Sequence, residues 1–279
     1  MLTDNGFTVD MVASSMEARL RRLCSLGPRS TTKQLWNALT YLKGEFEMLE
    51  AVPHLQLVPT HEFGTQLARY NMIYRYGPKS ARNVIVLGAH YDTVPGTVGA
   101  DDNASGVVSV LELLGLFRFH QPVLAPSFAV EFVLFTNEEP PHFSSKEMGS
   151  YHYFHKSLPR RGKVEWFVNL DCLGFVADED RRAWFIVDDK DHKSRRIFSQ
   201  WDAGVQAVPH DHSITGLGMM SDLKWVVEKS PCVHLCDMAI SGNPNMHRPS
   251  DTPDTLNYRW MAQVVQGLYD VLVKEYQIE

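Results

Sequence analysis

The sequence predicts an α/β fold, in which a mixed, mostly parallel central sheet is flanked by helices on both faces. Two observations predict it. Short runs of β-branched and aliphatic residues, such as residues 84–87 and 127–136, are typical of strands that are buried on both faces. Segments with helical spacing alternate with these runs, as they do between the strands of a parallel sheet. The chain has 279 residues, of which 44% are hydrophobic, and residues 1–279 are expected to form one domain.

Seven segments are predicted to be helices, because their apolar residues recur at helical spacing or because turn residues bound them. These segments are residues 9–26, 31–49, 104–117, 146–155, 190–203, 221–228 and 256–276. The first ends at Gly27-Pro28, which stops a helix, and Thr31 or Thr32 begins the second. Residues 104–117 are apolar nearly all round, which is expected of a buried helix.

Six segments are predicted to be strands, because they are short, rich in apolar residues and bounded by turn residues. These segments are residues 66–76, 84–89, 127–136, 164–170, 183–187 and 231–236. Cys232 and Cys236 are four residues apart in the last of them. In a strand this spacing separates them by about 13 Å, which is too far for a disulfide. Both are therefore expected to be thiols in the core.

Composition and charge exclude several classes of function. The net charge is −6 and no basic stretch is long, so no nucleic-acid partner is expected. No segment resembles a signal peptide or is long enough to span a bilayer, so no membrane association is expected. Four cysteines do not form a dense disulfide framework, which favours a reducing compartment and a cytoplasmic localisation. The oligomeric state stays open.

The strongest functional pattern lies between residues 84 and 106. His90 and Asp92 leave the end of a predicted strand on the same side, where a carboxylate can orient a metal-binding imidazole. Asp101 and Asp102 follow at the start of the buried helix, where two acids are costly unless a cation lies between them. Each pair alone could instead be a satisfied core histidine or a set of helix caps. The two pairs together predict a metal site.

Other predicted strands also lead to residues that bind metals. Glu138-Glu139 and Asp171 follow two of them, and His247 lies in the loop after the last one. Because sites in open α/β sheets lie at the carboxyl ends of the strands, these side chains are expected to converge. The predicted metal ligands are His90, Asp102, Glu139, Asp171 and His247. Two histidines and three carboxylates suit two Zn²⁺ ions better than one closed tetrahedral site.

The order of these motifs resembles that of a known enzyme family, the co-catalytic di-zinc aminopeptidases. This family is related to leucyl aminopeptidases, glutamate carboxypeptidases and glutaminyl cyclases. The resemblance is carried by HYD at 90–92, GADDNASG at 99–106, EE at 138–139, LD at 170–171 and HRPSDT at 247–252. It implies that the single domain is a zinc-peptidase-like catalytic domain. It also implies a zinc-dependent exopeptidase, an aminopeptidase that hydrolyses N-terminal residues from peptide substrates through a metal-activated bridging water.

The resemblance implies a ligand role for each predicted metal residue. Asp102 would bridge both Zn²⁺ ions. His90 and Asp171 would complete the ligands of one ion, and Glu139 and His247 would complete those of the other. The five residues would therefore form two ligand sets that share one carboxylate.

The resemblance also implies two catalytic side chains and one backbone feature. Glu138 would be the general base, and it could take the proton of the water and deliver it to the departing amine. Asp92 would be the partner that orients His90. The peptide bond between Asp102 and Asn103 would be cis.

Two departures from the family pattern bear on the choice of substrate. Residues 140–143, Pro-Pro-His-Phe, follow the glutamate pair where a glycine and a helix start are common. Arg248 follows His247 where a small hydroxyl residue is common. Arg248 could bind a carboxylate of the substrate, or it could pair with Asp251 or Asp254.

Two other functions stay open. One is a glutaminyl-cyclase-like acyltransferase with a single zinc ion, which the complete GADDNASG motif and both histidines disfavour. The other is a non-catalytic relative that binds peptides, which should have lost metal ligands. None of the predicted ligands is missing from this chain.

Overall fold

The computed structural model describes residues 8–62, 64–176, 183–188, 190–202, 207–212, 221–237 and 243–278. The helices in these ranges are α1 (Val9–Cys24), α2 (Thr32–Met48), α3 (Gly106–His120), α4 (Gly149–His152), α5 (His192–Phe198) and α6 (Tyr258–Tyr276). The strands are β1 (His54–Glu62), β2 (Thr65–Tyr76), β3 (Asn83–His90), β4 (Phe128–Phe135), β5 (Lys163–Leu170), β6 (Ala183–Asp188), β7 (Ala207–His212) and β8 (Cys232–Cys236).

The eight strands join one mixed sheet in the order β1-β2-β4-β3-β5-β8-β6-β7. The central strands β4, β3, β5 and β8 run parallel to one another, and β7 runs parallel to β6. The remaining three pairings, β1 with β2, β2 with β4, and β6 with β8, are antiparallel. Parallel pairings therefore outnumber antiparallel ones, which confirms the predicted mixed, mostly parallel sheet.

The two faces of the sheet bury different hydrophobic clusters. Ile85 and Leu87 of β3 belong to the larger cluster, which includes residues of α1, α2, α3 and α6. Val84 and Val86 belong to the smaller one, which includes aromatic residues just after α4. This alternation follows from the geometry of a strand, in which neighbouring side chains point to opposite faces. Helical segments therefore cover both faces, as predicted.

Most predicted elements form, with shifted ends. The predicted helix at 146–155 begins only at Gly149, and the one at 190–203 ends at Phe198, although its last residue lies outside the described ranges. The predicted helix at 221–228 is a short 3-10 turn, Ser221–Trp225. The prediction included neither β1 nor β7. No helix in the described part of the chain is both long enough and apolar enough to cross a membrane.

Candidate metal centre

The candidate site lies at the carboxyl ends of three neighbouring parallel strands. His90 is the last residue of β3, Glu138 and Glu139 follow β4, and Asp171 directly follows β5. Beyond the strand ends, the Tyr91 N–H donates to the carbonyl of β4's last residue at 2.9 Å, so the sheet pairing continues into the site. The strand ends therefore place the predicted side chains together, as the topology required.

The turn between β3 and α3 carries Asp102 into this group. Gly99 has a φ of +54°, in the left-handed region that favours glycine, and a Cβ there would collide with the Asp102 carbonyl. Gly106 begins α3 so close to the Leu170 carbonyl that a Cβ would not fit. The Asn103 side chain donates to the same Leu170 carbonyl at 3.0 Å. The peptide bond between Asp102 and Asn103 is cis, as the resemblance implied.

The five predicted ligands form two groups that share Asp102. In the first group, His90 Nε2 lies 3.3 Å from Asp102 Oδ1 and 3.4 Å from Asp171 Oδ1. In the second, His247 Nε2 lies 2.9 Å from Asp102 Oδ2 and 3.4 Å from Glu139 Oε1. Within each group the ligand atoms all lie within 4.8 Å of one another. The two oxygens of Asp102 thus face different groups, and the donor set fits two cations that share one carboxylate.

The electrostatics of the groups also indicate a cation site. Burial would lower the pKa of His90, but Glu138 and Asp171 outweigh it and raise that pKa well above its usual value. Hydrogen bonds to Asp102 and Glu139 raise the pKa of His247 to about 10. Burial raises the pKa of Glu139 to about 7. In the metal-free chain, an excess of acidic groups therefore keeps both histidines protonated. Divalent cations would take the place of these protons.

Two further carboxylates anchor the backbone of the acidic residues. Asp92 accepts from the Glu138 N–H at 3.1 Å and from the Glu139 N–H at 2.9 Å. Its Oδ1 is 3.7 Å from Nδ1 of His90, whose nearer contact is the Asp92 backbone carbonyl at 3.2 Å. The Asp92 side chain therefore contacts both segments. Its predicted role in orienting His90 stays a prediction.

Asp251 anchors the backbone of the other acidic pair, Asp101 and Asp102. The sequence did not reveal this role. Its carboxylate accepts from the Asp101 N–H at 2.8 Å and from the Asp102 N–H at 3.2 Å. The sequence interpretation considered Asp251 as a partner of Arg248, as the start of a turn or as a residue that orients His247, and not as an anchor of the acidic turn. The signal that could have found it is its place in the HRPSDT motif, four residues after the predicted ligand His247.

Arg29 is a second anchor that the sequence interpretation did not include among the site residues. Its fully buried guanidinium donates to the carbonyls of Tyr91 at 2.6 Å, Val98 at 2.6 Å and Gly99 at 3.1 Å. These carbonyls belong to the segment that connects His90 with the acidic turn. Burial lowers the pKa of Arg29, whereas nearby acids favour its charged form. The signal available in the sequence was the segment Gly27-Pro28-Arg29, which also resembles the N-terminal region of the di-zinc aminopeptidase family.

The two departures from the family pattern lie in different surroundings. Pro140 and Phe143 line the site cavity, whose volume is about 350 Å³. Arg248 is exposed and is not among the described residues that line the cavity. Asp254 pairs with Arg21 at 2.8 Å rather than with Arg248. The 140–143 segment is therefore the departure that contacts the space for a substrate.

An aspartate is shared between two sets of imidazoles and carboxylates at the strand ends of an α/β sheet, and every member of these sets except the exposed His247 is buried. This arrangement is typical of a metal-dependent hydrolase. The sequence model of Peptidase family M28 matches residues 71–272. The chain belongs to this family of zinc-dependent peptide hydrolases, which confirms the resemblance that the motifs indicated.

Three individual proteins are similar to this chain. The uncharacterized protein YfbL of Escherichia coli is 32% identical over 72% of this chain and 70% of its own length. A probable aminopeptidase of Saccharomyces cerevisiae, YDR415C, is 28% identical over 49% of this chain, which spans 38% of that protein. The crystal structure of Tannerella forsythia glutaminyl cyclase is similar with a TM-score of 0.74 and 22% identity, over 94% of this chain and 98% of that one. This last likeness shows the fold alone.

We predict that Arg29→Lys destabilises the chain. A lysine keeps the charge but cannot donate to three carbonyls in a fixed geometry, so buried carbonyls lose their partners. The expected loss in the free energy of unfolding is about 3 kcal/mol, measured by denaturant unfolding. Arg21→Lys is the control, because Arg21 is also an arginine near the N-terminus but is exposed. An equal, small effect of both substitutions would contradict the anchoring role.

We also predict that the metal-free chain loses stability as the pH rises from about 5.5 to 8. Burial raises the pKa values of Glu139, Asp101 and Asp222 to about 7, above those of the unfolded chain, so the unfolded state ionises first. The raised pKa of His247 acts in the same direction, because its stabilisation declines as the pH rises towards 10.

Calorimetry of the chelated and zinc-loaded forms measures this effect. The melting temperature of the chelated form is expected to fall by about 5 °C or more over this range, and that of the zinc-loaded form by less. The rise in melting temperature on zinc addition should therefore grow with pH. A chelated form that becomes more stable as the pH rises would contradict this account.

Proposed function

We propose that this chain is an aminopeptidase that uses two Zn²⁺ ions to remove N-terminal residues from peptides. The observation that carries the proposal is the Asp102 carboxylate, whose two oxygens face two separate ligand groups. The Saccharomyces cerevisiae relative, a probable aminopeptidase by name, supports the activity. Two bound Zn²⁺ ions would acidify a shared water and polarise the peptide carbonyl.

Three features of Glu138 support its role as the general base. It lines the cavity but belongs to neither ligand group, and its Oε2 lies 3.9 Å from Nε2 of His90. Burial raises the pKa of Glu138 well above its usual value, and the neighbouring carboxylates of Asp222 and Glu139 act in the same direction. A carboxyl group with a raised pKa can accept a proton from water and donate it to the leaving amine.

The charge of the cavity favours an aminopeptidase over a carboxypeptidase. Carboxylates of four residues, Asp102, Glu138, Glu139 and Asp171, line it, and no lysine or arginine lines it among the described residues. A carboxypeptidase needs a cation to hold the terminal carboxylate of its substrate. An N-terminal ammonium group, in contrast, needs no cation at the site and can pair with a carboxylate of the cavity.

The alternatives are supported less well. A cyclase with one zinc ion needs only one ligand group, whereas both groups are complete here. A binding module without activity would have no requirement for a base beside the ligands, and Glu138 is present in the cavity.

We predict that zinc-loaded Glu138→Gln keeps its metal and loses activity. Removal of a general base lowers kcat by about 10²–10⁴-fold, measured with a panel of aminoacyl and peptide substrates. Glu139→Gln is the matched comparison, because it changes the adjacent glutamate and is expected to lose zinc as well. Undiminished hydrolysis by Glu138→Gln would refute the assignment of the base.

The number of zinc ions provides an independent test. Metal analysis of the purified, zinc-loaded chain is expected to give about two equivalents, and Asp102→Asn should weaken both sites because both share its carboxylate. A chelator should abolish hydrolysis of the panel. One equivalent together with cyclisation of N-terminal glutamine would instead identify a glutaminyl cyclase.

A further inference from the structure

His234 lies in the wall of the site cavity with one ring nitrogen unpaired. It is a residue of β8, only 2% exposed, and it lines the same cavity as the two ligand groups. Its Nε2 is buried and has no hydrogen-bond partner. Because buried polar groups are normally paired, this nitrogen lacks a partner that a ligand of the cavity could supply.

A chain of hydrogen bonds fixes the tautomer of this ring. The Ser221 hydroxyl donates to Asp171 Oδ2 at 2.6 Å and accepts from the Asn169 amide at 2.9 Å. The same amide nitrogen lies 3.1 Å from Nδ1 of His234. With the Asn169 amide oriented so that its nitrogen also donates to Ser221, Nδ1 of His234 accepts, and the proton of the neutral ring is on Nε2. Burial lowers the pKa of His234, which keeps the ring neutral.

The position of β8 in the sheet places this N–H away from the peptide bond to be cleaved. His234 is the register partner of Asn169 on β5. β8 lies on the side of β5 that is distant from β3 and β4, so two strand spacings, about 10 Å, separate it from β3. β4, the strand that precedes Glu138 and Glu139, is one strand spacing further from β8. The His234 N–H is therefore better placed to contact a substrate side chain than the reacting carbonyl.

The cavity wall outside the ligand groups is otherwise mostly apolar. Pro140, Phe143 and Met246 contribute to it. The Ser221 hydroxyl proton is already used by Asp171. A cationic side chain of the substrate is disfavoured because it could only present a second donor to the N–H of His234. An anionic side chain is disfavoured because it would lose its hydration beside apolar groups and carboxylates.

We propose that His234 makes the site selective for an N-terminal residue with an uncharged side chain that ends in, or near, a hydrogen-bond acceptor. An apolar stem packs against Pro140, Phe143 and Met246, and the acceptor takes the N–H of His234. Methionine, whose thioether is a weak acceptor, and glutamine, whose amide oxygen is a strong one, have this character among the common amino acids. The inference rests on the proposed aminopeptidase function and adds the class of N-terminal residue.

A pair of isosteric substrates tests this selectivity. Amides of O-methylhomoserine and norleucine have side chains of equal length that differ only by an ether oxygen in place of a methylene group. The zinc-loaded wild-type chain is expected to favour the ether about tenfold in kcat/KM, the effect of one hydrogen bond. Calorimetric dissociation constants of the two amides should show the same preference in the zinc-loaded form.

Two variants separate contact with the substrate from support of Asp171. His234→Gln keeps a donor near the position of Nε2 but loses the Nδ1 acceptor, and should retain a preference within about threefold of the wild-type value. His234→Asn keeps an amide near Asn169, but this amide cannot reach the cavity. The ratio of kcat/KM for the ether amide to that for the norleucine amide should therefore fall to about one. If His234 only supported Asp171, His234→Gln would lose activity on both amides equally and His234→Asn would keep the wild-type ratio.

The outcomes distinguish this inference from the proposed function. A wild-type preference that His234→Asn leaves unchanged overturns the role of His234, and so does equal binding and hydrolysis of both amides by the wild-type chain. Failure of the zinc-loaded chain to hydrolyse any peptide overturns the aminopeptidase proposal. In that case the ratio of dissociation constants still decides whether His234 recognises the acceptor. Thermal melting of both variants checks that they are folded.

Discussion

The structure depends on the concentration of acidic side chains at the ends of its central strands. Among the described residues, nine buried carboxyl groups lie there, and they belong to Asp92, Asp101, Asp102, Glu138, Glu139, Asp171, Asp222, Asp237 and Asp251. Near them, among the described residues, Arg29 is the fully buried side chain with a permanent positive charge. Burial opposes the ionised form, as the raised pKa values of Glu139 and Asp222 show. A pair of divalent cations would supply four positive charges and reverse this preference.

On both sides of the site, a carboxylate that accepts two adjacent backbone N–H groups holds the acidic residues in place. Asp92 accepts the N–H groups of the glutamate pair after β4, and Asp251 accepts those of the aspartate pair before α3. In each case a carboxylate that is not itself a predicted ligand fixes the backbone of two adjacent acids. One member of each pair, Asp102 or Glu139, then faces the predicted metals. A charged acceptor bound to two backbone donors is geometrically rigid, which suits a ligand that must be in place before the metal arrives.

The sequence predicted the central strands well because burial on both faces leaves a continuous apolar run. It did not predict β1 and β7, which are the two edge strands of the sheet. Each contains a proline, Pro59 or Pro209, and neither has a regular alternation of polar and apolar residues. An edge strand pairs on one side only, and its place depends on a neighbour that is distant in sequence. The ligands could be predicted because His90, Glu139 and Asp171 lie at or just after the ends of strands that a buried apolar run defines. Asp102 and His247 lie in the segments that follow two of the predicted strands.

The residues that the sequence did not reveal act through tertiary contacts. Arg29 precedes the segment that it anchors by more than sixty residues, and Asp251 reaches a turn 149 residues earlier in the chain. His234 resembles any core residue of a buried strand until its Nδ1 is seen against Asn169 and its Nε2 is seen without a partner. A reaction that requires ligands at strand ends can therefore be recognised from the order of short motifs along the sequence. Substrate choice depends on which side chains from other strands and loops line the cavity, and this information exists only in the packed structure.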